Sequence, residues 1–304
     1  QFGGQIALAH AWQEVLAQHN CRGAQILLTL DDTEQRRRYL NARGTLNTLL
    51  DLNVIPIINE NDTVATQEIR YGDNDRLAAR VAGMISADCL ILLSDVDGLY
   101  TDKHRIGDAD AHISEVKELD DTIYAMAGTS DNRYSRGGMV TKLEAARLAT
   151  QAGAHMILAD GQKNGVLKNL ILGKSRCTFF EAHHSPHDAR KSWIAGSLET
   201  DSRIHIDAGA VTALQNGKSL LHIGVENIEG QFDRGACVAI ISPDGSEIAR
   251  GLVEHSDHDS RRFIGKQTDE IAKELAYYGR TELIHRDNLV LTHKKEGSGR
   301  KKGK

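Results

Sequence analysis

The feature that most constrains this fold is an alternation of short apolar runs with stretches of helical spacing. A run such as residues 54–58 is typical of a strand that is buried on both faces of a parallel sheet. Because each such run is followed by a stretch with apolar residues three or four positions apart, the pattern predicts βαβ units and an α/β fold with a mostly parallel sheet. The predicted strands cover residues 25–30, 54–58, 89–93 and 156–159, and the predicted helices cover 33–52, 77–85, 141–152 and 166–172.

The pattern changes after Glu181, where apolar runs become short and are separated by Gly and Asp. This predicts a small β-rich domain with one helix, over residues 259–275, and a hairpin turn at Pro243. The last residues are too basic and polar to fold. We therefore expect an α/β domain over residues 1–182, a polar linker over 183–196, the β-rich domain over 197–292 and a disordered basic tail over 293–304.

Polar residues crowd the segment 59–75, directly after a predicted strand. Asp62, Asp73 and Asp75 would repel one another unless they face cations, so an amino group, lysines or Mg²⁺ are expected nearby. Asp75 also fits the N-cap position of the following helix. The alternative is a loop whose Asp and Asn side chains serve only turns and helix caps.

A second polar segment, the glycine loop at residues 136–142, precedes the predicted helix 141–152. Free backbone N–H groups and the helix dipole favour an anion at such a position, and Lys142 adds a positive charge. The loop is not a Walker A sequence, and its spacing alone also fits a turn before an ordinary helix. Ser94 and Asp95 follow the strand 89–93, at the sheet edge where open α/β folds bind ligands.

Charge and cysteine placement exclude several classes of protein. The net charge is −5, and residues 197–291 carry ten Lys and Arg against sixteen Asp and Glu, so RNA binding is not favoured. The four cysteines are scattered, which argues against disulfides and a zinc site and fits a reducing cytoplasm. The histidine groups near His183 and His255 lack the spacing of metal ligands, and no apolar run is long enough to span a membrane.

Taken together and in this order, the motifs closely resemble the glutamate 5-kinase family, a branch of the amino-acid kinases. In the first domain they are LNAR at 40–43, NEND at 59–62, GDND at 72–75, DGLYT at 97–101 and GGM with TK at 137–142. In the second they are DAGA at 207–210, FDRG at 232–235 and IARG at 248–251, which resemble a PUA domain. The resemblance implies an αβα sandwich followed by a PUA domain.

The resemblance also implies the chemistry, namely transfer of a phosphoryl group from MgATP to the γ-carboxylate of L-glutamate, the first step of proline biosynthesis. It places Asp62 and Asn74 on glutamate, and gives Asp73 and Asp75 the task of orienting lysines or Mg²⁺-bound water. Lys142 would neutralise charge on the transferred group. The implied ATP-binding residues are Ser94, Asp95, Arg136, Gly137, Gly138, Met139, Val140, Thr141 and Lys142, and no direct protein ligand to a metal is expected.

Family members begin with a Lys-Leu-Gly phosphate loop and a Ser-Gly-Ala substrate loop, which would precede Gln1. We therefore expect the 304-residue chain to be inactive alone. The resemblance further suggests a homo-oligomer, feedback by proline and handover of the product to glutamyl phosphate reductase. Two alternatives remain open: another kinase of this fold, such as an acetylglutamate or aspartate kinase, and a noncatalytic ligand- or RNA-binding protein.

Overall fold

The computed structural model describes residues 2–61, 74–102, 105–127, 138–195, 202–274 and 281–292. The chain divides into two compact units, Gln1–Ala189 and Arg190–Lys304, and each has a hydrophobic core of its own. The boundaries expected from the sequence, including the linker over 183–196, stay a prediction. That linker region, which the sequence indicated to be turn-rich, contains a helix from Pro186 to Ala195.

The first unit is built from alternating helices and strands. Its helices are α1 (Phe2–Gln18), α2 (Leu30–Glu34), α3 (Arg36–Asp51), α4 (Asn74–Met84), α5 (Asp121–Met126), α6 (Met139–Gln151), α7 (Val166–Ile171) and α8 (Pro186–Ala195), the last of which runs into the second unit. Its strands are β1 (Arg22–Leu28), β2 (Val54–Glu60), β3 (Cys89–Ser94), β4 (Leu99–Tyr100), β5 (His112–Ile113), β6 (Glu115–Val116), β7 (His155–Asp160) and β8 (Cys177–Phe180). Within the described part of the chain, no helix is long and apolar enough to cross a membrane.

Parallel pairing dominates the first unit, as the alternating pattern predicted. β1 pairs with β2, and β3 pairs with β7, both in parallel. A four-stranded sheet has the order β3-β7-β8-β6, in which only the β7–β8 pair is antiparallel. The register places Ser94 opposite Asp160, so the carboxyl ends of β3 and β7 meet at one edge. This confirms the α/β class.

Helices α4 and α6 supply the core beside that edge. Leu143, Ala145, Ala146 and Ala149 of α6 are fully buried, and burying one leucine side chain contributes about 2 kcal/mol to stability. The small residues of α6 let the neighbouring helix α4 pack closely against it. Asp75 lies in the first turn of α4, not at its N-cap as predicted, because the helix already begins at Asn74.

The second unit is a five-stranded sheet with short helices around it. Its strands are β9 (Arg203–Ile206), β10 (Val225–Glu229), β11 (Cys237–Ile241), β12 (Glu247–Leu252) and β13 (Leu289–Leu291), and its helices are α9 (Ala208–Gln215), α10 (Asp257–Phe263) and α11 (Thr268–Glu274). The sheet order is β10-β9-β11-β12-β13. The turn at Pro243 connects β11 and β12 as an antiparallel hairpin, as predicted.

Two helix predictions for the second unit were wrong. The single helix predicted over 259–275 is two helices, because Gly265 adopts φ +74°, a left-handed conformation that ends the first of them. Helix α9 was not predicted at all. It begins after Asp207, whose carboxylate accepts a 2.6 Å hydrogen bond from the backbone N–H of Ala210 and so caps the helix.

Candidate active site

The site is built around the carboxyl end of β3. The Ser94 hydroxyl donates a 2.9 Å hydrogen bond to Oδ1 of Asp95, and the backbone N–H of Gly161 donates a 2.7 Å bond to the Ser94 carbonyl. The bond from Ser94 is the main reason that the pKa of Asp95 is lowered, and the positive charge of Lys142 contributes less. Asp95 therefore presents a negative charge at the edge where β3 and β7 end.

The start of α6 lies at the same site. Gly138 takes an extended conformation at the N-cap, where the absence of a side chain leaves the first turn open. Thr141 closes this turn locally: its hydroxyl donates to the Gly138 carbonyl at 2.8 Å and accepts from the Gly138 N–H at 3.3 Å. A rigid first turn holds Lys142, the next residue, in a defined direction.

Lys142 is bound by Asp75, which reaches it from α4. The Nζ atom of Lys142 lies 3.2 Å from Oδ2 of Asp75, and only 13% of the lysine side chain and 18% of the aspartate side chain are exposed. A pair this well shielded is more strongly coupled than a surface ion pair. The two helices thus place a localised positive charge at the site.

These elements surround a cleft of about 200 Å³. One part of its wall is polar and the rest is mainly apolar, an arrangement that suits a flat apolar group joined to an anionic one. Its lining residues are Asp95, Val96, Leu99, Tyr100, Ile106, Met126, Ala127, Gly138, Met139 and Lys142.

Comparison with known proteins identifies the fold to which this site belongs. The sequence profile of the Amino acid kinase family matches residues 3–160, about half of the chain. The chain belongs to the amino acid kinase family. The profile of the PUA domain matches residues 202–275. Both parts of the predicted architecture, the αβα kinase fold and the PUA domain after it, are confirmed.

Within the amino acid kinase family, the chain is similar to proteins named glutamate 5-kinase. It is 52% identical to that of Sinorhizobium fredii over 99% of this chain and 78% of the relative, and 54% identical to that of Brucella ovis over 95% and 76%. A solved UMP kinase from Ureaplasma parvum is far more distant, at 14% identity over 58% of this chain and 65% of that one, with a TM-score of 0.38. The resemblance indicated by the sequence motifs is confirmed.

The structure brings together several of the residues predicted for this amino acid kinase site. Asp95, Gly138, Met139 and Lys142 all line the cleft. Ser94 and Asp75 do not line it, but each bonds to a residue that does. Thr141 shapes the turn without lining the cleft, and Val140 is partly exposed outside it.

Of the two residues predicted to contact glutamate, the structure describes Asn74. Asn74 is exposed at the start of α4, directly before Asp75. Asp62, Asp73, Arg136 and Gly137 lie outside the described residues. The role assigned to each predicted residue stays a prediction.

Most of the apolar wall of the cleft was not predicted from the sequence motifs. Leu99 and Tyr100 belong to the DGLYT motif and could have been predicted from it, because that motif begins shortly after the end of β3. Ile106 is a lone apolar residue in a polar segment, and Met126 and Ala127 end a short helix. No spacing in the sequence connects these three residues with a site.

The described residues contain no group of three or more His, Cys, Asp or Glu side chains arranged to hold a metal ion. Among the described residues, the carboxylates close to Lys142 include Asp75, which is bonded to it, and Asp95 in the cleft wall. Such a set suits a divalent ion that arrives already bound to a phosphate group, because Mg²⁺ keeps most of its water and phosphate ligands.

Proposed function

We propose that the protein transfers the γ-phosphoryl group of ATP to the γ-carboxylate of L-glutamate. A carboxylate oxygen of glutamate forms a bond to the γ-phosphorus, the bond from that phosphorus to the bridging oxygen of ADP breaks, and the products are γ-glutamyl phosphate and ADP. This is the first step of proline biosynthesis. The observation that carries the proposal is the shielded Lys142–Asp75 pair beside the cleft, in a chain more than 50% identical to glutamate 5-kinases.

The nucleotide occupies the cleft with its base against the apolar wall. Leu99, Tyr100 and Met139 offer flat or flexible apolar surface to a base, while Gly138 and Lys142 lie on the polar side, toward the phosphates. Asp95 accepts hydrogen bonds from the base or the ribose hydroxyls, since its carboxylate stays ionised.

Lys142 acts on the group in transfer. Phosphoryl transfer depends mainly on positioning and on stabilising charge on the phosphoryl oxygens, and a fixed ammonium does both. Asp75 keeps Lys142 in place through the 3.2 Å contact, so the charge needs little reorganisation when the substrates arrive. We assign to Asp73, two residues earlier in the sequence, the orientation of further cations.

Asp62 and Asn74 recognise glutamate. The carboxylate of Asp62 is suited to the substrate's ammonium group, and the amide of Asn74 both donates and accepts hydrogen bonds. Asn74 neighbours Asp75 at the start of α4, so glutamate bound there lies close to the lysine that serves the transfer.

Magnesium enters as MgATP. When bound, Mg²⁺ would neutralise part of the phosphate charge, and Asp73 and Asp75 would orient its water molecules. We further propose a cytoplasmic homo-oligomer that proline inhibits and that passes its labile product to glutamyl phosphate reductase. The oligomer, the inhibition by proline and the transfer of the product rest on the family resemblance. The cytoplasmic location rests on the scattered cysteines.

The test is an assay of the protein expressed from its complete reading frame with ATP, Mg²⁺ and glutamate. Hydroxylamine traps the acyl phosphate as a coloured hydroxamate, and ADP release is measured in parallel. We expect both products with glutamate, and weak signals with aspartate and N-acetylglutamate. Equal use of either alternative substrate would contradict the assignment of Asp62 and Asn74 to glutamate.

A further inference from the structure

Arg176 bridges two parts of the first unit that are distant in sequence. It lies directly before β8, and its Nη1 atom donates a 3.1 Å hydrogen bond to the carbonyl of Gly107 and a 3.5 Å bond to the hydroxyl of Tyr100. The same nitrogen is 3.8 Å from Oδ2 of Asp97. One guanidinium thus contacts three acceptors on the two sides of a loop.

The first side of this bridge is the wall of the cleft. The Tyr100 hydroxyl donates a 2.6 Å hydrogen bond to Oδ1 of Asp97, and the Tyr100 ring is 3% exposed while it lines the cleft. The ring of His112 also packs against it, with the two planes 73° apart and 5.3 Å between centroids. Arg176 therefore completes the set of contacts that fixes the direction of this ring.

The second side is the segment that carries Ile106. Gly107, whose carbonyl Arg176 binds, directly follows Ile106, which lines the cleft although more than half of its side chain is exposed. Gly107 has φ +94°, a conformation that glycine adopts readily, and the turn around it is held by side-chain contacts, among them the 2.6 Å bond from Arg105 to Asp108 within the loop. Arg176 supplies such a contact from outside the loop.

We propose that Arg176 is a positioning residue for the nucleotide: it holds Tyr100 and Ile106 in the arrangement that accepts the base, without touching the nucleotide itself. The inference rests on the proposed function, in that the cleft binds ATP. It adds a role for a residue that belongs to none of the sequence motifs described above. Because Arg176 acts on the base end of the cleft, it governs nucleotide affinity and not the transfer step at Lys142.

The first experiment measures nucleotide affinity without turnover. A fluorescent ATP analogue is titrated into the wild type, Arg176→Ala, Arg176→Lys and Lys174→Ala. Loss of one or two hydrogen bonds to a charged group predicts binding about five- to tenfold weaker for Arg176→Ala. Lys174→Ala removes an exposed positive charge two residues away and controls for net charge, so its affinity should match the wild type.

The second experiment separates positioning from general structure. In steady-state assays, Arg176→Ala should raise the KM for ATP and leave kcat and the KM for glutamate near their wild-type values. The Arg176→Ala effect should also shrink in a Tyr100→Phe background, because the hydroxyl through which Arg176 acts is then absent. Melting temperatures are recorded for every variant. If Arg176→Ala does not fold, the same kinetic constants are measured for Arg176→Lys. Lysine keeps the charge of arginine but lacks its planar fork of hydrogen-bond donors, so the KM for ATP should rise in this variant as well.

Three results would overturn the inference: unchanged analogue affinity in Arg176→Ala, an equal loss in Lys174→Ala, or a parallel fall in kcat and in glutamate affinity. Failure of the wild type to bind the analogue would instead contradict the proposed function. The two failures are therefore distinguishable.

Discussion

Replacing Lys142 with methionine tests the core of the proposed mechanism. Methionine keeps an unbranched side chain of similar length in the first turn of α6 but removes the ammonium that Asp75 binds at 3.2 Å. The change therefore deletes one charge at the cleft while it leaves the apolar part of the contact largely filled.

The structure sets the expected magnitude. Two unit charges 3.2 Å apart at an effective dielectric constant of about 20 attract by about 5 kcal/mol before desolvation is subtracted, so Lys142 is firmly placed. Removing one preorganised group that faces developing charge lowers turnover by about 10²- to 10³-fold, or roughly 3–4 kcal/mol of barrier. We expect a fall in kcat of that size with a KM for glutamate within about threefold of the wild type, since the lost interaction belongs to the transition state.

The measurement is steady-state hydroxamate formation at saturating ATP, together with thermal denaturation to verify the fold. Lys168→Met on α7 is the matched control, because Lys168 is an exposed lysine of the same unit. The reasoning fails if Lys142→Met keeps more than about a tenth of the wild-type turnover. It also fails if the loss appears mainly as a raised KM for glutamate, or if the control variant loses as much.

Three further predictions concern binding and stability. Asp62→Ala should raise the KM for glutamate much more than it lowers kcat; an unchanged KM in kinetic assays would exclude a contact with the substrate's ammonium. Gly98→Ala should destabilise the first unit by about 1–3 kcal/mol more than Gly107→Ala in denaturant titrations; both glycines have positive φ, but only Gly98 is surrounded by side chains where a Cβ would lie, so equal losses would contradict a steric cause. His222 has a pKa lowered to about 4 by burial and by a neighbouring histidine, whereas the unfolded chain protonates near pH 6.5. The second unit should therefore lose about 3 kcal/mol of stability as the pH falls from 6.5 to 4, and calorimetry should show a flatter pH dependence for His222→Asn but not for the exposed His258→Gln.

Much of the fold could be predicted because its signals are local. The strand at 89–93 and the helix at 141–152 were placed to within two residues, since apolar runs and helical spacing report directly on burial. Lys142 and Asp95 could be proposed for the site for the same reason, because Asp95 follows a recognisable strand and Lys142 lies at the start of a recognisable helix; both line the cleft, and their roles stay predictions. The helix break at Gly265 was missed because a single glycine does not reveal its own φ.

The pairing of Lys142 with Asp75 could only be anticipated in outline. The crowding of carboxylates indicated that cations would lie nearby, but not which ones. Sixty-seven residues separate the two groups, and their contact depends on the packing of α4 against α6. The contacts of Arg176 could not be predicted, because Arg176 belongs to none of the motifs and its acceptors lie in segments that are distant in sequence.

The Lys142–Asp75 pair also means that one donor of the ammonium is engaged before any substrate binds. An ammonium has three donors, so an incoming anion can reach the others while Asp75 keeps its contact. A simple ion such as chloride is attracted by Lys142 and repelled by Asp75 from nearly the same place, so it gains little by binding there. The ion pair thus holds the lysine ready without making the site attractive to the salt ions that surround the protein.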